Sequence, residues 1–285
     1  MKKRLNIQKT YKLYINGKFP RTESGRYFPI HDSDGGLTAN VCQASQKDFR
    51  EAVKAARNAT ANWSSRTAYN RGQIIYRIAE TLEGRKNQFV SELVTLGMKK
   101  KNAVEEVVIS LDRLVYYAGW TDKYQQIFSS VNPVSSSHYN FSVPEYQGII
   151  AIIAPENNPL LGLVSLISPA IASGNTVVCL GAQKSPLSSI SFAEVLHASD
   201  VPAGVVNILT GFSSELSGHF SSHMDVNGIV CCQDHADLIK SIQENAAENV
   251  KRVHYYNETN WMDLQSPYFI LDHTEIKTTW HPVGS

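Results

Sequence analysis

What this sequence lacks narrows its class before any motif is read. No segment of the 285 residues reaches about 18 uninterrupted apolar positions, the length a membrane-crossing helix needs. The basic opening MKKRLNIQKTYKLYINGK has no apolar run behind it, so no leader peptide is read there. Charge of one sign is also missing: 27 Lys and Arg face 26 Asp and Glu, a formal +1, and no strong field draws nucleic acid or an anionic membrane. Cysteine is scarce. With neither a leader nor a long apolar run, a cytoplasmic location is expected, and Cys42, Cys179, Cys231 and Cys232, sitting largely inside apolar runs, suit reduced core thiols better than a disulfide framework. The N-x-[ST] matches at Asn58 and Asn140 are then chance. There is no internal repeat, and no low-complexity region beyond a short serine cluster at 135–137.

What is present is enough apolar material, 42% of residues, for one large domain or two small ones. Residues 11–42 read as short strands and turns punctuated by Asn16-Gly17 and Gly35-Gly36. Ser45 followed by Asp48 resembles a capping box, and Phe49, Val53 and Ala56 then repeat at helical spacing. Ile74, Ile78 and Leu82, then Phe89 and Leu93, mark the inner stripe of a second helical region, and a third is predicted from about Val104 to Tyr124. The polar, proline-bounded segment 129–148 suits a projecting hairpin. From there the pattern changes. IIAIIA, NTVVCL, VVNILTG and NGIVCC read as buried strands, separated by apolar or amphipathic helical stretches, the last around Ala236 to Ala247. That alternation predicts an α/β fold with a parallel, Rossmann-like sheet flanked by helices.

The order PENNPL, PAIASGNTVV, SPLS and VPAGVVNILTG, with AYNRGQIIYRIAETLEGR and DRLVYYAGWTDK upstream, resembles the nucleotide domain of the aldehyde dehydrogenases over about residues 10–255. Within that superfamily the start RLNIQKTYKLYINGKFPRTESGR and the near-terminal IKTTWHP are most similar to the cysteine-lacking second half of the two-domain subfamily-sixteen enzymes, here as a stand-alone chain opened by Met1.

The resemblance implies particular roles, and this chain departs from most of them. Asn157 falls on the asparagine whose amide donates to the oxyanion, a preorganised electrostatic role, but Glu156 replaces the usual tryptophan and Asn158 the following aromatic. A plain alternative is that Glu156, Asn157 and Asn158 only form a turn and cap the next helix. At the ribose-binding lysine and glutamate stand Leu180 and Gln183, with Gly181 in place of the proline after the lysine. The glycine turn that admits a pyrophosphate to a helix N-terminus has become Cys231, Cys232, Gln233 and Asp234, with Asp234 and Asp237 expected to cap that helix internally. Tyr256 occupies the general-base position; Glu258 lies two residues on, where a surface glutamate is the simpler reading. No cysteine follows Cys232, so the nucleophile motif does not occur, and Cys231 and Cys232 read as core thiols. Neither catalytic residues nor a metal site is expected; Cys231, Cys232 and His235 make a poor tetrahedral set. No cofactor is expected either, NAD included.

The last stretch, HTEIKTTWHPVGS, resembles the YTEVKTV tail of the family's oligomerisation element, yet only about thirty residues separate it from the degenerate base motif, too few for an independent domain. The resemblance therefore implies an absent catalytic domain. It also implies a nucleotide-type domain over residues 1–130 plus 148–266 and an oligomerisation hairpin and strand over 131–147 plus 267–285. Tyr139, Phe141, Ile276 and Trp280 are expected to be exposed on that β element. The leading expectation is a non-catalytic scaffold that assembles with itself or with a full-length aldehyde dehydrogenase. An NAD-dependent aldehyde oxidoreductase dependent on a partner or an unorthodox nucleophile, and a ligand-sensing module, are the rivals.

Overall fold

Side chains on the central strands alternate between two cores. The computed structural model describes residues 9–256 and 260–284. Its main sheet has the order β10-β9-β6-β7-β8, all parallel: β6 is Ile149–Ile153, β7 Thr176–Leu180, β8 Val206–Leu209, β9 Gly228–Cys231 and β10 Arg252–Tyr255. Ile150, Ile152, Val177 and Cys179 point into one core, and Ile149, Ala151, Ile153, Val178 and Leu180 into the other. Both faces are covered, which is why these strands read as continuous apolar runs.

The chain moves outward from β6 to β8 through helices α6 (Pro159–Ala172) and α7 (Pro186–His197). It then returns to the far side of β6 through α8 (Ser213–Ser222) and α9 (Ala236–Ala247). Right-handed crossovers place helices on opposite faces when the direction reverses, and the loops part at the carboxyl ends of β6 and β9. The first face carries a second layer made of α2 (Ala68–Gly84), α3 (Lys86–Thr95) and α4 (Lys100–Ala118); α1 (Gln46–Ser64) packs on the other face beside α8. Ser45 and Asp48 form the capping box of α1. The second helical region breaks at Arg85, and the third ends at Ala118 rather than near Tyr124: a turn after Gly119 leads to the separate α5 (Tyr124–Phe128).

Two small sheets flank this body. β1 (Thr10–Tyr11), β2 (Tyr27–His31) and β3 (Leu37–Cys42) form one, in the order β1-β3-β2. The chain just after β1 covers the β8 edge, with Tyr14 and Ile208 exchanging backbone hydrogen bonds of 2.9 and 2.8 Å. The other consists of β4 (Ser130–Asn132), β5 (His138–Tyr146) and β11 (Thr274–Pro282), antiparallel in the order β11-β5-β4.

The buried Asn175 clamps the passage between bodies. Its carbonyl oxygen accepts the amides of Gln147 (2.9 Å) and Gly148 (2.8 Å), and its amide donates to the His273 carbonyl (2.7 Å). Gly148 is required there: its φ is +136° and a Cβ would fall 2.3 Å from the Asn227 side chain. A connector with the short helix α10 (Tyr268–Leu271) joins β10 to β11. Tyr139, Ile276 and Trp280 are exposed as expected, but Phe141 is half-buried, since it lines a groove with Gln126, Ser129 and Val131.

Candidate functional site

Where the crossovers part, a cleft of about 430 Å³ opens over the carboxyl ends of β6, β9 and β10. Glu156, Asn157, Gln183, Lys184, Cys232, Gln233, Asp234, His235, Tyr256 and Trp261 line it, so most of the residues singled out in the sequence converge on one place. Leu180 does not. It is buried in the core beneath the cleft.

The polar knot after β6 is built from local strain and distant partners. Asn158 takes the N-cap slot of α6 with φ +50° and ψ +61°, in the left-handed region, and its side chain does not cap the helix. The cap comes from α4. Glu106, fully buried, accepts the amides of Leu160 (2.9 Å) and Leu161 (3.2 Å) and the Asn158 side-chain amide (3.4 Å). Burial pushes the Glu106 carboxyl up, and those hydrogen bonds pull it back in part. Gly162, in the first turn, allows close packing because a Cβ would meet Pro155 at 2.3 Å. Thus the turn reading holds for Asn158 by position, while the capping part passes to Glu106.

Glu156 faces a different loop. Its two carboxylate oxygens accept the backbone amides of Gln183 and Lys184, each at 2.9 Å, tying the loop after β6 to the loop after β7. Asn157 is exposed to the cleft and has no side-chain hydrogen bond among the described residues.

On the opposite wall, the Gln233 amide donates to the Ala154 carbonyl at 3.4 Å. The expected internal cap is not formed. α9 starts with His235 in extended conformation at the N-cap and no side-chain cap bond, so Asp234 sits one residue too early and Asp237 lies in the first turn. Both carboxylates are exposed at this helix start.

Tyr256 is held, not poised. Its hydroxyl donates to Asp272, its ring lies edge-on to Phe269 (4.9 Å) and Trp261 (6.2 Å), and burial and then Asp272 push the phenol far up. A phenol so placed stays protonated and does not act as a base. Glu258 lies outside the described residues. Cys232 is half-buried on the cleft wall, and burial followed by Cys231 and Cys179 raises its thiol well above the ordinary range; burial raises Cys231 and Cys179 as well. Among the described residues no group of three or more His, Cys, Asp or Glu could hold a metal ion. No helix among them is long and apolar enough to cross a membrane.

Sequence reading missed Glu106, Asp272 and Trp261. For Glu106 a signal existed: it interrupts the buried stripe of Ala103, Val107, Ser110 and Leu114 with an acid. Asp272 and Trp261 carried none.

A family model described as the aldehyde dehydrogenase family matches residues 21–275. The chain is 34% identical over 262 residues to cytosolic 10-formyltetrahydrofolate dehydrogenase of Mus musculus, covering 88% of this chain and 28% of that protein. It is 33% identical over 259 residues to aldehyde dehydrogenase, cytosolic 1 of Elephantulus edwardii, covering 87% of this chain and 50% of that one. The NAD+ complex of an aldehyde dehydrogenase from Bacillus cereus superposes with a TM-score of 0.82 at 28% identity, covering 87% of this chain and 51% of that chain. The chain therefore spans only part of the length of these relatives, from 28% of the first to about half of the others. The α/β class read from the strand pattern agrees with this likeness.

Proposed function

The chain belongs to the aldehyde dehydrogenase family, and from that premise we propose that it is a non-catalytic member whose work is assembly. It acts as an oligomerisation or scaffold subunit through the sheet of β4, β5 and β11, joining a second copy or a complete aldehyde dehydrogenase. The observation that carries this reading is a contrast. In the cleft, Glu156 is engaged with Gln183 and Lys184 and Tyr256 with Asp272, while β11 has one side that no strand pairs among the described residues.

NAD, the cofactor the family implies, does not fit the residues present. The amides of Gln183 and Lys184 already hold a carboxylate, Leu180 is apolar and buried where a ribose would need a donor, and Asp234 and Asp237 set negative charge at the α9 start where a pyrophosphate would need the opposite. The expected result is weak or undetectable NAD binding by calorimetry and no NAD-dependent oxidation of simple aldehydes. A dissociation constant in the low micromolar range, about 8 kcal/mol, would overturn it. The rival enzymatic reading rests on Cys232, which shares the cleft with Asn157. Turnover that disappears in Cys232→Ala would establish that rival.

Deleting residues 273–285 tests the assembly reading. Light scattering is expected to show a shift toward monomer, or release of an aldehyde dehydrogenase partner, with the helical circular dichroism of the main body retained. An assembly that survives the deletion unchanged removes the reading's main support.

A further inference from the structure

β11 has two sides, and its ladder with β5 shows which backbone groups face outward. The register runs from Thr274↔Tyr146 to Pro282↔His138, and Val283 extends it by donating to the Ser137 carbonyl at 3.0 Å. That bond assigns the odd-numbered residues of β11 to the hydrogen-bonded pairs with β5 and the even-numbered ones to the pairs without such bonds. Prolines obey the same parity: Pro144 faces Ile276, and Pro282 faces His138, so neither nitrogen is asked to donate within the ladder. Ile276, Thr278 and Trp280 therefore turn their N–H and C=O groups away from β5, toward a side that no strand among the described residues pairs.

An edge of this length is ordinarily guarded by charge. Here the guards are drawn aside: Lys277 reaches back to Glu145 (2.7 Å) and Glu275 to Arg252 (3.6 Å), while Ile276 is 58% exposed and Trp280 57%.

We infer that two copies of this chain join edge to edge through β11, antiparallel about Thr278, so that their sheets become one. The inference rests on the assembly reading above and names its partner and register. Only even-to-even pairings bring outward groups together. With Thr278 opposite its own counterpart, Ile276 meets Trp280 of the second copy twice over, Glu275 meets His281, and Lys277 meets the neutral Thr279. Centring on Lys277 instead sets Ile276 against Thr278 and Trp280 against Thr274; centring on Thr279 sets Lys277 against His281. Among these three centres, the one on Thr278 pairs the two exposed apolar side chains and sets no like charges opposite each other.

The test combines two variants with the deletion. In Thr278→Cys the two thiols stand opposite each other in a hydrogen-bonded pair, with Cα atoms about 5.5 Å apart and within disulfide range. Mild oxidation should give a covalent dimer, and Ile276→Cys should not, because its counterpart lies four positions away along the strand. Thr278→Pro removes the central outward N–H without taking a ladder bond from β5, and should weaken dimerisation about 10- to 100-fold. A monomeric parent chain, or cross-linking through Ile276→Cys and not Thr278→Cys, overturns the inference. If Thr278→Pro leaves the oligomer intact while deletion of 273–285 disperses it, the edge pairing fails and the assembly reading stands. If neither change alters the oligomer, both fail. Should Thr278→Pro not fold, the cross-linking comparison alone decides.

Discussion

Replacing Glu106 with alanine is expected to cost about 3–5 kcal/mol of folding stability, a large part of what an ordinary domain has. α6 is buried along its whole length, so its first amides have no water to turn to, and Asn158 supplies no cap. The variant would strand the amides of Leu160 and Leu161 and open a void beside them. Glu106→Gln keeps an acceptor oxygen and should lose much less. It should also change the pH dependence. The folded carboxyl is raised by burial, so the unfolded chain ionises at lower pH, and this group subtracts stability as pH rises from the ordinary carboxyl range to the folded value. Glu106→Gln removes that loss, so its stability relative to the parent should improve as pH rises above the ordinary carboxyl range. Urea denaturation at several pH values measures both effects. An alanine variant within about 0.5 kcal/mol of the parent would mean that α6 has another cap.

Trp261→Ala should cost about 3–5 kcal/mol, in the range of large-to-small substitutions of aromatic side chains in a core. The indole is 1% exposed, lies near Tyr256 and Phe269, and its backbone carbonyl accepts from the buried guanidinium of Arg113 at 3.0 Å. Together with the Tyr117 hydroxyl, which donates to the Ser266 carbonyl at 3.0 Å, it fastens the connector between β10 and β11 to α4. Besides the lower midpoint in denaturant, the connector around residues 260–273 should become sensitive to limited proteolysis, and Trp261→Phe should restore most of both. Equal protection in parent and alanine variant would show that Trp261 is a passenger.

The parts of this molecule that were legible in the sequence are those whose cause is local. β6 and β7 announced themselves because burial on both faces leaves no polar alternation, and α1 because Ser45 and Asp48 satisfy each other within one turn. The residues of the cleft were located by resemblance, which fixes positions along the chain but not partners. Resemblance thus singles out Glu156 but not its target, the amides of Gln183 and Lys184, and it suggests a cap at Asp234 that the extended His235 prevents. Strand alternation predicts an exposed Phe141 because it does not show the groove beside β4 that half covers it. Glu106 and Asp272 act on residues far away in sequence or across a connector whose path no periodicity encodes.

The Glu156 bridge sets a kinetic and concentration hurdle as well as a geometric one. The carboxylate belongs to the same molecule as the two amides it fills, so a free anion approaching Gln183 and Lys184 competes with a tethered rival rather than with water. Its effective concentration is on the order of millimolar or above for a short tether. A soluble phosphate or carboxylate has to exceed that level, or bring further contacts of its own, before it occupies half of the molecules. Below that level the loop after β7 behaves as though already liganded.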